Sequence, residues 1–379
     1  MRSVNKSPLK IFISAAEPSG DIIAAEVMDY LPKDTNFIGI GGIEMEKHAL
    51  KSIFPMSDLS VMGALEVLPR AIKILRRINE TAALIIKEKP DIILTIDAYS
   101  FHSRLITKLK KLGYQGKFHH YVPPAVWAWK EQRAQRLATL YDHVYCIFPF
   151  EPPYFTKHNM TADYVGHPAA FRLSLPEPDF RKRYGLSNQP ILLILPGSRI
   201  QEIKKLLPIF IQSAKLIQEK QSIQIVIPTL PHLEELIDSY CRKADFKVAL
   251  ITTTADRFQA FAHAHAAIAA SGTVAMELAL NGVPTVIGYK TSWLTYRLAK
   301  LFLKIKFITV LNIIANKKVI PEFIQDDCTA ENLSQSCLAY FDTNDRAHQL
   351  NEIKQITSSL KHESGRKPQE LVASFVQKY

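Results

Sequence analysis

The feature that most constrains this 379-residue chain is a pattern that runs twice: short apolar, β-rich runs, each followed by a segment with helical spacing. In the first half the runs fall at residues 10–16, 36–42, 91–97, 117–122 and 143–149. After Tyr164-Val165-Gly166-His167-Pro168 comes a Pro-rich, charged stretch through Leu175-Pro176-Glu177-Pro178-Asp179. The pattern then restarts at 190–195, 224–228, 247–252, 266–271 and 285–289. Strands that are apolar almost throughout need cover on both faces, and helices between them make each sheet parallel. The sequence therefore predicts an α/β fold of two Rossmann-like, doubly wound parallel-sheet domains, residues 1–168 and 169–356, with a helix in 357–379 returning to the first. Ligands of such sheets sit at the carboxyl ends of strands, which puts the expected site in a cleft between the domains.

With 47% apolar and 22% charged residues the chain can bury a substantial core, and wholesale disorder is excluded. The net charge of +11 calls for an anionic partner: nucleic acid, a phosphorylated small molecule or an anionic lipid surface. Cys146, Cys241, Cys328 and Cys337 lie far apart with no Cys-x-x-Cys pair, and read as reduced thiols of a cytosolic protein. The first apolar stretch breaks at Glu17, and no window reaches the roughly 18 uncharged apolar residues of a membrane span. Neither export nor membrane insertion is expected.

Two loops of the second half suit phosphate. Leu195-Pro196-Gly197-Ser198-Arg199 follows an apolar strand and precedes a helix, so Gly197 allows a close turn and Arg199 offers a fork of donors. A plain Pro-Gly turn with a solvent-facing arginine fits the same residues. Ser271-Gly272-Thr273 ends another strand and opens a helix, with Glu277 one turn on, placed for ribose hydroxyls; an ordinary capped helix with an exposed glutamate is the other reading. Their occurrence in one Rossmann-like half points to a nucleotide diphosphate. Neither a Walker loop nor a Gly-x-Gly-x-x-Gly after the first strand is present, which counts against ATP hydrolysis and dinucleotide redox chemistry.

In the first half, Glu17-Pro18-Ser19-Gly20-Asp21 opens a helix, with Ser19 as its expected N-cap and Gly20 where another molecule can approach. Asp97 closes a strand and is either a general base or a second N-cap. Leu68, Ile72, Leu75, Ile78, Ala82 and Ile85 recur at helical spacing beside Arg70, Lys73 and Arg77, and Arg297, Lys300 and Lys304 repeat the theme. Such basic amphipathic segments either lie on an anionic membrane or pack on their own sheet. Trp127 is expected to pack on the core, and the adjacent His119 and His120 point to opposite faces of a strand, so no metal site is expected.

Taken together the motifs resemble lipid-A-disaccharide synthase, a family of inverting glycosyltransferases with the two-domain GT-B architecture. The matching residues run in family order: Ala16-Glu17-Pro18-Ser19-Gly20-Asp21, Gly39-Ile40-Gly41-Gly42, Val61-Met62-Gly63, Glu66-Val67-Leu68-Pro69, Ile96-Asp97-Ala98 and Val126-Trp127-Ala128-Trp129, then Pro149-Phe150-Glu151 and Val165-Gly166-His167-Pro168. In the second half they are Leu195-Pro196-Gly197-Ser198-Arg199 with Glu202, Ser271-Gly272-Thr273 with Glu277, and Pro321-Glu322 with Gln325. The resemblance implies transfer of 2,3-diacylglucosamine from UDP to the 6-hydroxyl of 2,3-diacylglucosamine 1-phosphate (lipid X), giving a β-1,6 disaccharide of lipid A and lipopolysaccharide biosynthesis. It makes Asp97 the base. Arg199, Ser271, Gly272, Thr273, Glu277 and Asn312 become donor contacts, and Glu17, Ser19 and Gly20 substrate contacts. It implies no cofactor and no metal, and the sequence has no Asp-x-Asp pair. A Gram-negative cytoplasmic protein resting on the inner membrane, with a homodimer possible and no nucleic acid partner, completes the expectation. The chain departs from the family pattern in three places. Tyr99-Ser100-Phe101-His102 stands for Pro-Asp-Phe-Asn, Pro123 for Ser, and Leu311 for Pro. A UDP-sugar 2-epimerase and a non-catalytic nucleotide- or lipid-binding protein are the alternatives.

Overall fold

A computed structural model of the chain describes residues 8–59, 67–128, 131–172, 175–291 and 306–378. The motif residues Val61, Met62, Gly63, Glu66 and Trp129, and the basic positions Arg297, Lys300 and Lys304, lie outside them, as does the side chain of Arg70. The described chain divides into two compact units, Met1–Pro168 with Leu360–Tyr379, and Ala169–Ser359.

The first unit holds a parallel sheet in the order β2-β1-β3-β4-β5-β6, built from β1 (Lys10–Ser14), β2 (Asn36–Ile40), β3 (Ile92–Ile96), β4 (Lys117–Tyr121), β5 (His143–Cys146) and β6 (Thr161–Tyr164). Alternate residues face alternate cores. Ile11 and Ile13 enter one core with Leu94, Tyr121 and Tyr145, while Phe12 enters the other with Ile93, Phe118 and Val144. Both faces are dry, as the near-continuous apolar runs demand. The helix Pro368–Val376 puts Leu371, Val372 and Val376 into the first of these cores, against Ala24, Val27 and Met28 of the helix Pro18–Met28.

The second unit repeats the design in the order β12-β11-β10-β7-β8-β9, from β7 (Ile191–Leu195), β8 (Gln224–Pro228), β9 (Ala249–Ile251), β10 (Ala264–Ala270), β11 (Thr285–Tyr289) and β12 (Glu322–Ile324). Two strands, β6 and β12, escape the sequence pattern. Both are outermost and carry Thr161-Ala162-Asp163-Tyr164 and Glu322-Phe323-Ile324, because an edge strand needs no continuous apolar run.

The strand order reverses between β1 and β3 in one sheet and between β7 and β10 in the other. At such a switch point the following loops part and leave a crevice at the strands' carboxyl ends. Glu17 and Asp97 follow β1 and β3; Arg199 and Ser271 follow β7 and β10.

Candidate active-site loops at the two switch points

Asp97 sits at the end of β3 in a left-handed conformation, φ 51°, and Ala98 follows it at φ 42°. Two successive non-glycine residues there cost on the order of 1–3 kcal/mol each, strain that surrounding bonds must hold. The Asp97 N–H donates to the Tyr121 carbonyl at 2.9 Å, and its Oδ1 accepts the Ala98 N–H at 2.7 Å. The Asp97 carbonyl lies 2.9 Å from Nδ1 of His102. A carbonyl only accepts, so Nδ1 carries the proton, and Nε2 accepts from the Ser14 hydroxyl at 2.9 Å. Burial keeps this imidazole neutral, with its pKa lowered to about 4. His102 thus ties the strained turn to β1.

The Asp97 carboxyl is half-buried, and its pKa is raised by desolvation and, to a smaller degree, by the negative charge of Glu17; the Ala98 N–H opposes both. Glu17 therefore faces Asp97 electrostatically across the switch point. Asp97 is not a cap: the cap position of the helix Tyr99–Lys111 belongs to Ala98. Ser19 is not one either. Pro18 occupies the first helical position with Glu17 before it, because its fixed φ and missing N–H start the helix one residue early. Nor is Gly20 open to a ligand. A β-carbon there would stand 3.3 Å from Ala15, just after β1, and 3.8 Å from Ile96 at the end of β3, so the close neighbours are the chain's own residues. Asp21 accepts N–H groups from Gly42 (2.7 Å), Glu44 (3.0 Å) and Met45 (3.3 Å), which accounts for the Gly41-Gly42 motif: a side chain at 42 would strike the Asp21 carboxylate.

Trp127 donates to Glu151 at 3.1 Å and meets Phe150 edge-on at 5.3 Å. Glu151 also accepts the N–H groups of Ile147 and Phe148, each at 3.0 Å, and burial pushes its pKa up to about 7. This part of the aromatic loop serves packing.

In the second unit Gly197 takes φ 107°, and the Glu202 carboxylate occupies the space a side chain would need. Arg199 is 80% exposed and, among the described residues, held only by an exposed bond to Glu202 at 2.9 Å, which leaves the guanidinium able to swing to an anion. The helix Thr273–Leu280 begins at an exposed Gly272-Thr273 with no side-chain cap among the described residues, an arrangement that presents its first amides to an oxyanion. Ser271 Oγ donates to the Ile308 carbonyl at 3.4 Å. Burial raises the pKa of Glu277, while Arg257, 3.5 Å away, and Arg172 favour its charge.

Asn312 has a different place from the one the resemblance implied. It is fully buried; its Nδ2 donates to the Ile320 carbonyl at 2.7 Å and to Glu322 at 2.9 Å, and its Oδ1 accepts from Val319 and Ile320 at 2.8 Å each. Both amide protons and both lone pairs are used inside the protein, which leaves no donor for a substrate. Glu322 in turn accepts from the N–H groups of Ile308 and Thr309. Asn312 therefore shapes the 308–312 segment that carries the Ser271 contact. Sequence reading missed Arg172 and Arg257, whose common partner Glu277 is distant in the chain, and His102, which joins the nearby Asp97 carbonyl to Ser14 of β1.

Two parallel sheets with polar loops at their switch points define the GT-B class of nucleotide-sugar enzymes. Solved structures share the fold. The S. aureus MnaA–UDP co-structure matches with TM-score 0.66 at 13% identity over 96% of this chain and 95% of that one. Acinetobacter baumannii MurG matches with TM-score 0.57 at 15% identity over 98% and 100%.

A family model described as lipid-A-disaccharide synthetase matches residues 11–376. Lipid-A-disaccharide synthase of Rhodospirillum centenum is 36% identical over 336 residues, 86% of this chain and 84% of the relative; that of Rickettsia canadensis is 34% identical over 381 residues, 97% of each. The chain belongs to the lipid-A-disaccharide synthetase family and is a glycosyltransferase of lipid A biosynthesis. Epimerases share its fold; the sequence-level relatives are synthases.

Proposed function

We propose that the chain moves 2,3-diacylglucosamine from its UDP derivative to the 6-hydroxyl of 2,3-diacylglucosamine 1-phosphate with inversion, and that Asp97 is the base. The observation that carries this is the half-buried Asp97 carboxyl with its raised pKa, fixed at a switch point by a strained, tethered turn. Asp97 takes the proton from O6 as O6 bonds to the anomeric carbon. The bond from that carbon to the β-phosphate oxygen breaks, its electron pair leaves with UDP, and the proton passes on to water. Charge grows on the leaving diphosphate, where Arg199 and the uncapped amides at Gly272-Thr273 stabilise it. Glu277, whose charge Arg257 and Arg172 favour against its burial, accepts from the ribose hydroxyls. The test is acceptor dependence: UDP should appear from the diacylated donor only when the acylated sugar phosphate is supplied. Release of UDP without acceptor, or an epimerised donor, would overturn the reading.

Replacing Arg199 with alanine is expected to raise the donor KM and lower kcat together, each about tenfold, because the guanidinium gains contact as negative charge builds. Unchanged kinetics would remove it from the site.

The membrane surface belongs to this reading too. On the helix Val67–Glu88, Ile78, Ala82 and Ile85 are buried, but Ile72 and Leu75 are 67% and 56% exposed, so the expected apolar backing divides into a packed half and an outward half. Arg77 is committed to Asp58 (2.6 Å) and Glu80 (2.5 Å), and Lys73 to Asp58 (2.6 Å), so the basic stripe is partly neutralised within the protein. Among the described residues no helix is long and apolar enough to cross a membrane. Binding to anionic vesicles should weaken several-fold when Ile72 and Leu75 become aspartate, and should fall with salt. Equal sedimentation of variant and parent would discard this face.

A further inference from the structure

An open pocket of about 390 Å³ lies in the first unit between the helices Tyr99–Lys111 and Gln132–Leu140, lined by Tyr99, Ser100, Ser103, Arg104, Gln132, Arg133 and Arg136. On each helix these residues share one face, and both helices present their N-terminal turns, neither containing an acidic residue. Three guanidinium groups and two helix N-termini thus line a hollow that has no carboxylate in its wall among the described residues; Glu131, at the cap of the second helix, is paired with Lys157.

The arginines here differ from others of the chain. Arg76 and Arg77 meet Glu80, Arg183 meets Glu177 and Asp256, Arg242 meets Asp238, and Arg366 meets Glu370. Arg104 and Arg136 are exposed and form no ion pair among the described residues. Arg133 is braced over the Tyr99 ring, 5.5 Å from its centroid. Arg104 and Arg136, converging with no ion pair among the described residues, raise the local potential, and a bound anion relieves it.

We infer that this pocket holds the phosphate monoester of the sugar acceptor, a subsite within the transfer reaction proposed above and resting on that reading. Tyr99 follows Asp97 by two residues, a chain reach of at most about 7 Å. C5, which carries the C6 hydroxyl, and C1, which carries the phosphate, both flank the ring oxygen of one pyranose, so an acceptor whose O6 meets Asp97 holds its phosphate only a short way off, a span comparable with that reach. A phosphate dianion there accepts from Arg104 and Arg136 in bidentate fashion, with the Ser100 and Ser103 hydroxyls as further donors. The pocket then selects a phosphorylated acceptor and sets which hydroxyl reaches the base.

The experiment compares the full-length protein with its Arg104→Gln/Arg136→Gln double variant in mixed micelles, using the acylated glucosamine 1-phosphate and the same acceptor without phosphate. The parent is expected to favour the phosphorylated acceptor strongly. In the double variant the KM for that acceptor rises about a hundredfold, the donor KM holds, and the two acceptors become nearly equivalent. Both side chains are exposed, and an unchanged melting curve verifies the fold. A double variant with the parent's preference overturns the assignment while leaving the transfer reaction intact; a parent that glycosylates neither acceptor overturns the transfer reading itself. If the variant keeps its acceptor KM but loses binding to phosphatidylglycerol vesicles, the pocket is a lipid-headgroup site and the assignment falls.

Discussion

Asp97→Asn is expected to lower kcat about a thousandfold, within the range by which a positioned base accelerates proton transfer, while the donor dissociation constant holds. Asparagine preserves the turn. Its amide oxygen can still accept the Ala98 N–H, it tolerates the left-handed conformation, and the tether from His102 is to the main-chain carbonyl, which the substitution leaves alone. The same variant should melt slightly higher near neutral pH. Folding raises the Asp97 pKa, so the fold opposes ionisation of this carboxyl; the cost is absent below the unfolded pKa, grows as pH rises, and is complete above the folded pKa. The neutral amide removes it, and the gain should vanish in acid.

In the parent, kcat/KM should fall as pH falls through a pKa above the usual aspartate range, since the protonated acid cannot take the O6 proton. That limb should be missing from the residual activity of the variant. Turnover retained by Asp97→Asn would end the case for Asp97, and a lowered melting temperature would show that the carboxylate serves the fold instead.

What was legible in the sequence was what repeats at short range. Central strands such as Ile92–Ile96 and Ile191–Leu195 are buried on both faces and so appear as unbroken apolar runs. The two-sheet fold and its switch points follow from them. β6 and β12 were hidden because edges are half solvated, and the strand expected at 247–252 shortened to Ala249–Ile251 for the same reason. Ser19 misled because a serine near a helix start resembles a cap until Pro18 is weighed. Gly20 was read as room for a ligand when the crowding comes from Ala15 and Ile96, which only the folded sheet brings near. The pairing of Arg104 with Arg136 could not be foreseen, since two helices and an intervening strand must pack before these side chains share a wall.

Asn312→Ala is expected to destabilise the protein by roughly 4 kcal/mol, near the upper end for one substitution, because buried groups on three residues lose partners together. The N–H groups of Val319 and Ile320 lose their acceptor, and the Ile320 carbonyl and Glu322 lose their donor, where water cannot enter a fully buried position. For a unit of this size that corresponds to a melting shift of about 10 °C. Donor KM should rise about tenfold in the same preparation, since Glu322 holds Ile308 and Thr309, and the Ile308 carbonyl receives the Ser271 hydroxyl beside the uncapped helix. Asn312→Asp separates the alternatives further. It keeps an acceptor for Val319 and Ile320 but sets a second carboxylate against Glu322, where an N–H now donates at 2.9 Å, so it should melt nearly as low as alanine. Direct contact between Asn312 and the nucleotide predicts instead a donor affinity lost with the melt unmoved. The two roles thus differ in whether stability and donor KM change together, and a calorimetric scan beside a donor titration decides which one this buried amide fulfils.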